Sequence, residues 1–142
     1  MSEFFERSVA EHCRLWAFLG AERNDYELPW LQHIRECEAE LDLKLPEELI
    51  EYFLEVGNAV LGRLQAVTVR DLDASTDLRL VIREWRDRGL PHDHIPLAIT
   101  EDALHCWVPG GLVELWPSED GDFFDIRKWL DDAPFRFGGL SE

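Results

Sequence analysis

From Ile95 onward the chain holds three short apolar segments, Ile95 to Thr100, Ala103 to Val108 and Leu112 to Trp116, joined by only two and three residues. Parallel neighbours need a crossover of about a dozen residues or more, so segments this closely spaced pair as antiparallel strands. Pro109-Gly110-Gly111 provides the tight connection between the last two. The second half of the chain is thereby committed to an antiparallel meander.

The first half follows the helical period. Residues 4 to 19 place Phe5, Val9, Leu15, Trp16 and Leu19 at near-helical spacing, and Gly20 ends the segment. A second helix is expected from Pro29, with Leu31, Ile34, Cys37 and Leu41 on one face and Glu36 and Glu40 on another. A third starts at Pro46 with Leu49, Ile50, Phe53 and Leu54 as its apolar face, and Gly57-Asn58 suits a left-handed cap at its end. Val67-Thr68-Val69-Arg70 alternates as a strand does. Leu78, Val81, Ile82 and Trp85 then fall at i, i+3, i+4 and i+7, a helix stopped by Gly89 and Pro91. Phe123, Ile126, Trp129 and Leu130 predict a closing helix. With 142 residues, no internal repeat and no linker long enough to divide it, the chain is expected to form a single domain over residues 1–142. Helices followed by closely spaced strands give an α+β fold, a mainly antiparallel sheet flanked by helices that pack on one face.

The sign of the charge narrows the partners. Thirty Asp and Glu against 14 Lys and Arg give a net charge of -16, a field that repels phosphate backbones and anionic lipids. Neither nucleic acid nor membrane is expected as a partner; a basic protein is the complement. Glu36 to Glu55 holds eight acids and one base, and Glu101 to Asp132 holds nine acids and two bases, so these two segments carry nearly all the excess. Glu47, Glu51 and Glu55 repeat at i, i+4, i+8, a spacing at which like charges destabilise a helix. Glu47 and Glu48 suit the positive end of the helix dipole, and Arg79, Arg83 and Arg86, on the face of the fourth helix opposite its apolar stripe, offer internal partners. Glu51, Glu55, Glu101, Asp102, Glu119, Asp120, Asp122 and Asp125 are read as a docking surface, with affinity coming from buried aromatic or apolar anchors.

The chemistry-bearing residues form no recognisable catalytic set. Cys13, Cys37 and Cys106 are scattered, odd in number and without a Cys-x-x-Cys pair, which fits a reducing cytoplasm. The acidic start Met1-Ser2-Glu3 is unlike a secretory leader, and no apolar run reaches membrane-spanning length. His92-Asp93-His94 lacks a third and fourth ligand at an informative spacing and reads as an exposed loop. His105 and Cys106, adjacent on a strand, point to opposite faces and cannot act as base and nucleophile for one another. The acidic turns lack the spacing of a calcium loop, and neither a P-loop nor a dinucleotide fingerprint occurs. No catalytic, cofactor-binding or metal residue is assigned, and no enzyme activity is expected. Trp16, Trp85 and Trp129 fall on helical apolar stripes, whereas Trp30, Trp107 and Trp116 are less determined, and an exposed one among them would serve as a binding anchor.

The order of residues also resembles a known family. Ile34 to Asn58, with Glu38 ahead of Leu45-Pro46 and then Leu49, Tyr52, Phe53 and Asn58, resembles the entry helices of the SUKH superfamily, the SMI-KNR type. Leu90-Pro91, Ile95-Pro96-Leu97-Ala98, the Cys106 strand, Gly110-Gly111-Leu112-Val113 and Leu115-Trp116 are similar to its later strands. The resemblance covers about residues 30 to 130 and implies a helix-flanked sheet. For bacterial members it implies an immunity protein that binds and neutralises a cognate secreted toxin, and for others a regulator or scaffold acting on an endogenous protein. It brings no catalytic residues. Toxins that attack nucleic acid are commonly basic because their substrate is an anion, so a basic, nuclease-type toxin is the expected partner on electrostatic grounds.

Overall fold

Among the described residues every strand pairs antiparallel with the next in sequence, so one sheet follows chain order. The computed structural model describes residues 9–18, 22–23, 28–70, 75–100, 103–116 and 123–136. Among these the elements are α1 (Val9–Phe18), β1 (Glu22–Arg23), α2 (Leu31–Leu41), α3 (Glu47–Val56), β2 (Ala59–Leu61), β3 (Leu64–Ala66), α4 (Leu78–Asp87), β4 (Ile95–Ile99), β5 (Leu104–Val108), β6 (Leu112–Trp116), β7 (Phe123–Asp125) and α5 (Ile126–Arg136). Phe5, Leu19 and Gly20 lie outside the described residues.

The expected meander is β4 to β6. Its second turn closes because Gly110 and Gly111 adopt φ of 102° and 80°, a region open to glycine, and Gly111 N donates to Val108 O at 3.2 Å. The sheet is wider than periodicity indicated. Ala59–Leu61 and Leu64–Ala66 form a hairpin around Gly62, at φ 55°, while Val67 to Arg70 forms only a bridge from Thr68 to Asp77. Phe123 belongs to β7, opposite Glu114, and not to the closing helix; Asp125, whose side chain accepts from Arg127 N at 2.9 Å, marks where α5 starts.

Two helix ends also depart from expectation. Gly57 caps α3 at φ −66°, not left-handed, and glycine is needed for a different reason: a Cβ there would stand 2.5 Å from Phe53 O. The left-handed cap is Asp42, at φ 50°, after α2. On α4, Arg79 does not lie on the solvent face. It forks onto Asp77, with Nε to Oδ1 at 2.9 Å and Nη2 to Oδ2 at 3.0 Å, and reaches Glu40 at 3.3 Å. Both members of the fork are buried, which is tolerated because each satisfies the other, and Asp77 also caps α4 through Arg79 N. The hydrogen bond to Asp77 holds the guanidinium in its charged form, above its ordinary pKa.

The sheet is covered on both faces, where one was expected. In the β5–β6 register, His105, Trp107, Val113 and Leu115 share one face and Leu104, Cys106, Glu114 and Trp116 the other. Trp129 of α5 packs on His105, and Glu48 of α3 bonds Trp107. Trp85 of α4 meets Trp116 edge-on at 5.6 Å, on the opposite face. Burial of Ile95, Pro96, Leu97 and Ala98 along β4 accords with cover on both sides.

On the first face, α1, α3 and α5 interlock through three aromatic rings. Trp16, Tyr52 and Trp129 stand 5.7 to 6.1 Å apart, centroid to centroid. Each ring also satisfies its polar atom: Trp16 donates to Leu130 O, Tyr52 to Leu97 O and Trp129 to His105 Nδ1, at 2.7, 2.8 and 3.1 Å. Trp16 and Trp129 are therefore core, as their spacing predicted. No helix of the described residues is long and apolar enough to cross a membrane.

Candidate functional site

The apolar arc of α3 is broader than the core needs. Leu49, Tyr52, Phe53 and Val56 are buried, whereas Ile50 and Leu54, expected on the same core face, are only half-buried. These two turn toward α2 and, with Leu31, Leu45 and Pro46, line a groove of about 690 Å³. Its rim carries Glu47 and Glu51 from α3, Arg35 from α2 and Lys44 from the connection between the helices. Leu31 is 48% exposed beside it, and the neighbouring Trp30 is 64% exposed. Trp30 is thus the exposed tryptophan of the three left undetermined; Trp107 and Trp116 are half-buried. Arg70 lies over the Trp30 ring at 5.7 Å and donates to Leu28 O, so the ring is supported from behind.

Glu38 holds the groove in shape. One carboxylate oxygen accepts from Leu45 N and the other from the Arg35 guanidinium, both at 2.7 Å, which closes the connection from α2 to α3. The spacing of Glu38 to Leu45-Pro46 in the sequence has this clasp as its cause. Burial pushes the Glu38 carboxyl up, but the Arg35 and Leu45 hydrogen bonds outweigh it and hold the pKa below the usual 4.5. A folded pKa below the unfolded one stabilises the protein above 4.5 and loses that contribution as pH falls through the folded value. Glu38→Gln is expected to flatten this acid sensitivity, read as urea unfolding midpoints at neutral pH and below 4.5.

Among the described residues the two acidic segments meet through Glu48 and, in the core, through the Tyr52 and Trp129 rings. Glu48 accepts from Trp107 Nε1 at 2.6 Å and lies against Gly111, whose carbonyl accepts from Ile126 N at the start of α5. Elsewhere α1 stands between them, with Arg14 on Glu55 at 3.3 Å and His12 donating to Asp131 at 2.8 Å. Of the acids expected to dock a partner, Glu51 lines the groove and Glu55 is half-buried one turn further along α3. Asp125 caps α5. Glu101, Asp102, Glu119, Asp120 and Asp122 lie outside the described residues. Glu47, expected to suit the helix dipole or an internal arginine, is on the rim.

Most of the other chemically suggestive residues are buried or engaged within the fold. Burial raises all three thiols, Cys37 to about 12 and Cys13 and Cys106 further, so each is protonated at neutral pH. His105 is buried; its Nδ1 accepts from Trp129, and Nε2 lies 3.3 Å from Thr100 Oγ1. His94 faces Glu114 and Asp93 with its two ring nitrogens, while His92 and Asp93 are exposed. Among the described residues no group of three or more His, Cys, Asp or Glu side chains is placed to hold a metal ion.

Comparison with known proteins agrees with this architecture. The SUKH model described as SMI1-KNR4 cell-wall matches residues 12–133. A solved structure, described as the crystal structure of a protein from Pseudomonas syringae pv. tomato, is 27% identical, with a TM-score of 0.73 over 93% of this chain and 98% of that one. No curated protein matches.

Proposed function

Since this chain belongs to the SUKH family of SMI1-KNR4-type domains, we propose that it is a cytoplasmic, non-enzymatic immunity protein that binds a cognate secreted toxin and neutralises it. The observation that carries the reading is the α2–α3 groove. It joins half-buried Ile50 and Leu54 and exposed Leu31 to the acidic rim of Glu47 and Glu51. Apolar anchors ringed by charge are what a fast, specific protein interface uses: the charge steers encounter and excludes wrong partners, and desolvation of the anchors supplies affinity. A chain of net charge -16 attracts a basic partner, and a toxin acting on nucleic acid has that character. Protonated, buried thiols and the engaged histidines support binding over catalysis.

The test is co-expression with the toxin-like product of the adjacent reading frame. Growth arrest is expected to be relieved by the wild-type chain; arrest that it leaves unrelieved would contradict the reading. A regulatory or scaffold role on an endogenous protein is the second reading, favoured by the cell-wall description of the matched family. Its mark is co-purification of a defined housekeeping protein whose loss reproduces the phenotype of deleting this chain.

A further inference from the structure

We infer that the α2–α3 groove receives an amphipathic helix of the partner, with lysine or arginine along the flank that faces Glu47 and Glu51. The inference rests on the docking reading above and specifies what enters the groove.

Backbone bonding selects a helix. Both walls of the groove are helices, whose peptide groups are bonded within themselves, and the connecting Leu45 N–H is already held by Glu38. An extended segment laid on this apolar floor finds no strand edge to pair with and leaves its own N–H and C=O groups unsatisfied; a helix satisfies its own.

The side-chain spacing agrees. Ile50 and Leu54 are one turn apart on α3 with Leu31 across from them, so the depression repeats at the pitch of a helix and accepts side chains at i, i+3 and i+4. Glu47 and Glu51 are likewise one turn apart on the same wall, and Glu55 continues the row. Basic residues at i and i+4 on the incoming helix meet this row in register. Of the two cations on the rim, Arg35 is bonded to Glu38, which leaves Lys44 against Glu47 and Glu51, so the rim that the partner meets is net negative.

Solution NMR of the full chain with three designed peptides tests this. The first is about four turns long, with leucine at i, i+3, i+4 and i+7 and lysine on one flank. The second replaces lysine by glutamate, and the third carries a central proline, which breaks the helix. The lysine peptide is expected to shift the amides of Leu31, Ile50, Glu51 and Leu54 and to bind about tenfold tighter than either control. In Glu47→Lys/Glu51→Lys protein the preference between the lysine and glutamate peptides is expected to reverse. Equal binding of the proline peptide, or no response at these amides to any of the three, overturns the helical occupant. If that happens while Glu47→Lys/Glu51→Lys still loses protection against the toxin, the docking reading stands without it. Protection that survives in this variant counts against the docking reading itself.

Discussion

Trp129→Ala is expected to lower the free energy of unfolding by about 3 to 5 kcal/mol, the cost of emptying a large aromatic site in a packed core. Trp129 is 3% exposed and touches Trp16 of α1, Tyr52 of α3 and His105 of β5. Its removal therefore opens a void shared by three helices and the sheet, which no single neighbour can fill by rotating. It also leaves His105 Nδ1 buried without its indole donor. Trp129→Phe separates the two contributions, because it keeps most of the ring and deletes the N–H; a loss of about 1 to 2 kcal/mol is expected. Urea unfolding with an unchanged m-value reads both. A Trp129→Ala loss below about 1 kcal/mol would show that the three rings do not hold the helical layer on the sheet.

Which parts of this fold were legible in the sequence depended on the length of each element. The Leu78–Val81–Ile82–Trp85 stripe and the β4–β6 meander each repeat their period several times, and both lie where the spacing put them. The β2–β3 hairpin has strands of three residues, too short for alternation to register, and β1 has two. Phe123 sits at helical spacing from Ile126 and Trp129, yet pairing opposite Glu114 and the Asp125 cap place it in a strand. The internal pairing expected of Arg79 is met by Glu40 of α2, whereas its burial on Asp77 is not legible because Asp77 lies outside the helix that Arg79 belongs to.

The groove was visible only as an excess. Leu49, Ile50, Phe53 and Leu54 read as one face in the sequence, although apolar residues at both i+3 and i+4 of successive turns, bordered by Glu47 and Glu51, make a wider arc than one core contact fills. The exposed half of that arc was the available signal. The connection that brings Leu31 opposite it depends on the Glu38 clasp and the left-handed Asp42, which are tertiary details. Among the described residues Glu38, Glu48, Glu114, Asp125 and Asp131 are engaged within the fold, and α1 inserts Arg14 and His12 between α3 and α5.

Leu31→Glu combined with Glu51→Lys is expected to weaken toxin binding by about 100-fold or more, the size of a hot-spot loss, while leaving the melting temperature within about 2 °C of wild type. Leu31 is 48% exposed and Glu51 half-buried on the rim, so neither substitution empties the core. The first places a charge where an apolar anchor is desolvated on binding, and the second reverses the sign that a basic partner meets. Glu36→Lys makes the same charge reversal as Glu51→Lys, on an exposed position of α2 that does not line the groove, and only a small salt-dependent effect on the association rate is expected there. Equal losses from Glu36→Lys and from the groove variant would mean that net charge, and not the groove, governs binding.

The most direct measurement is amide hydrogen exchange of the free chain against its complex with the toxin. Slowed exchange is expected across residues 31–54, the stretch spanning α2, its connection and most of α3, with α4 unchanged. Protection confined to α4 and β6, with residues 31–54 exchanging as in the free chain, would contradict docking at the groove.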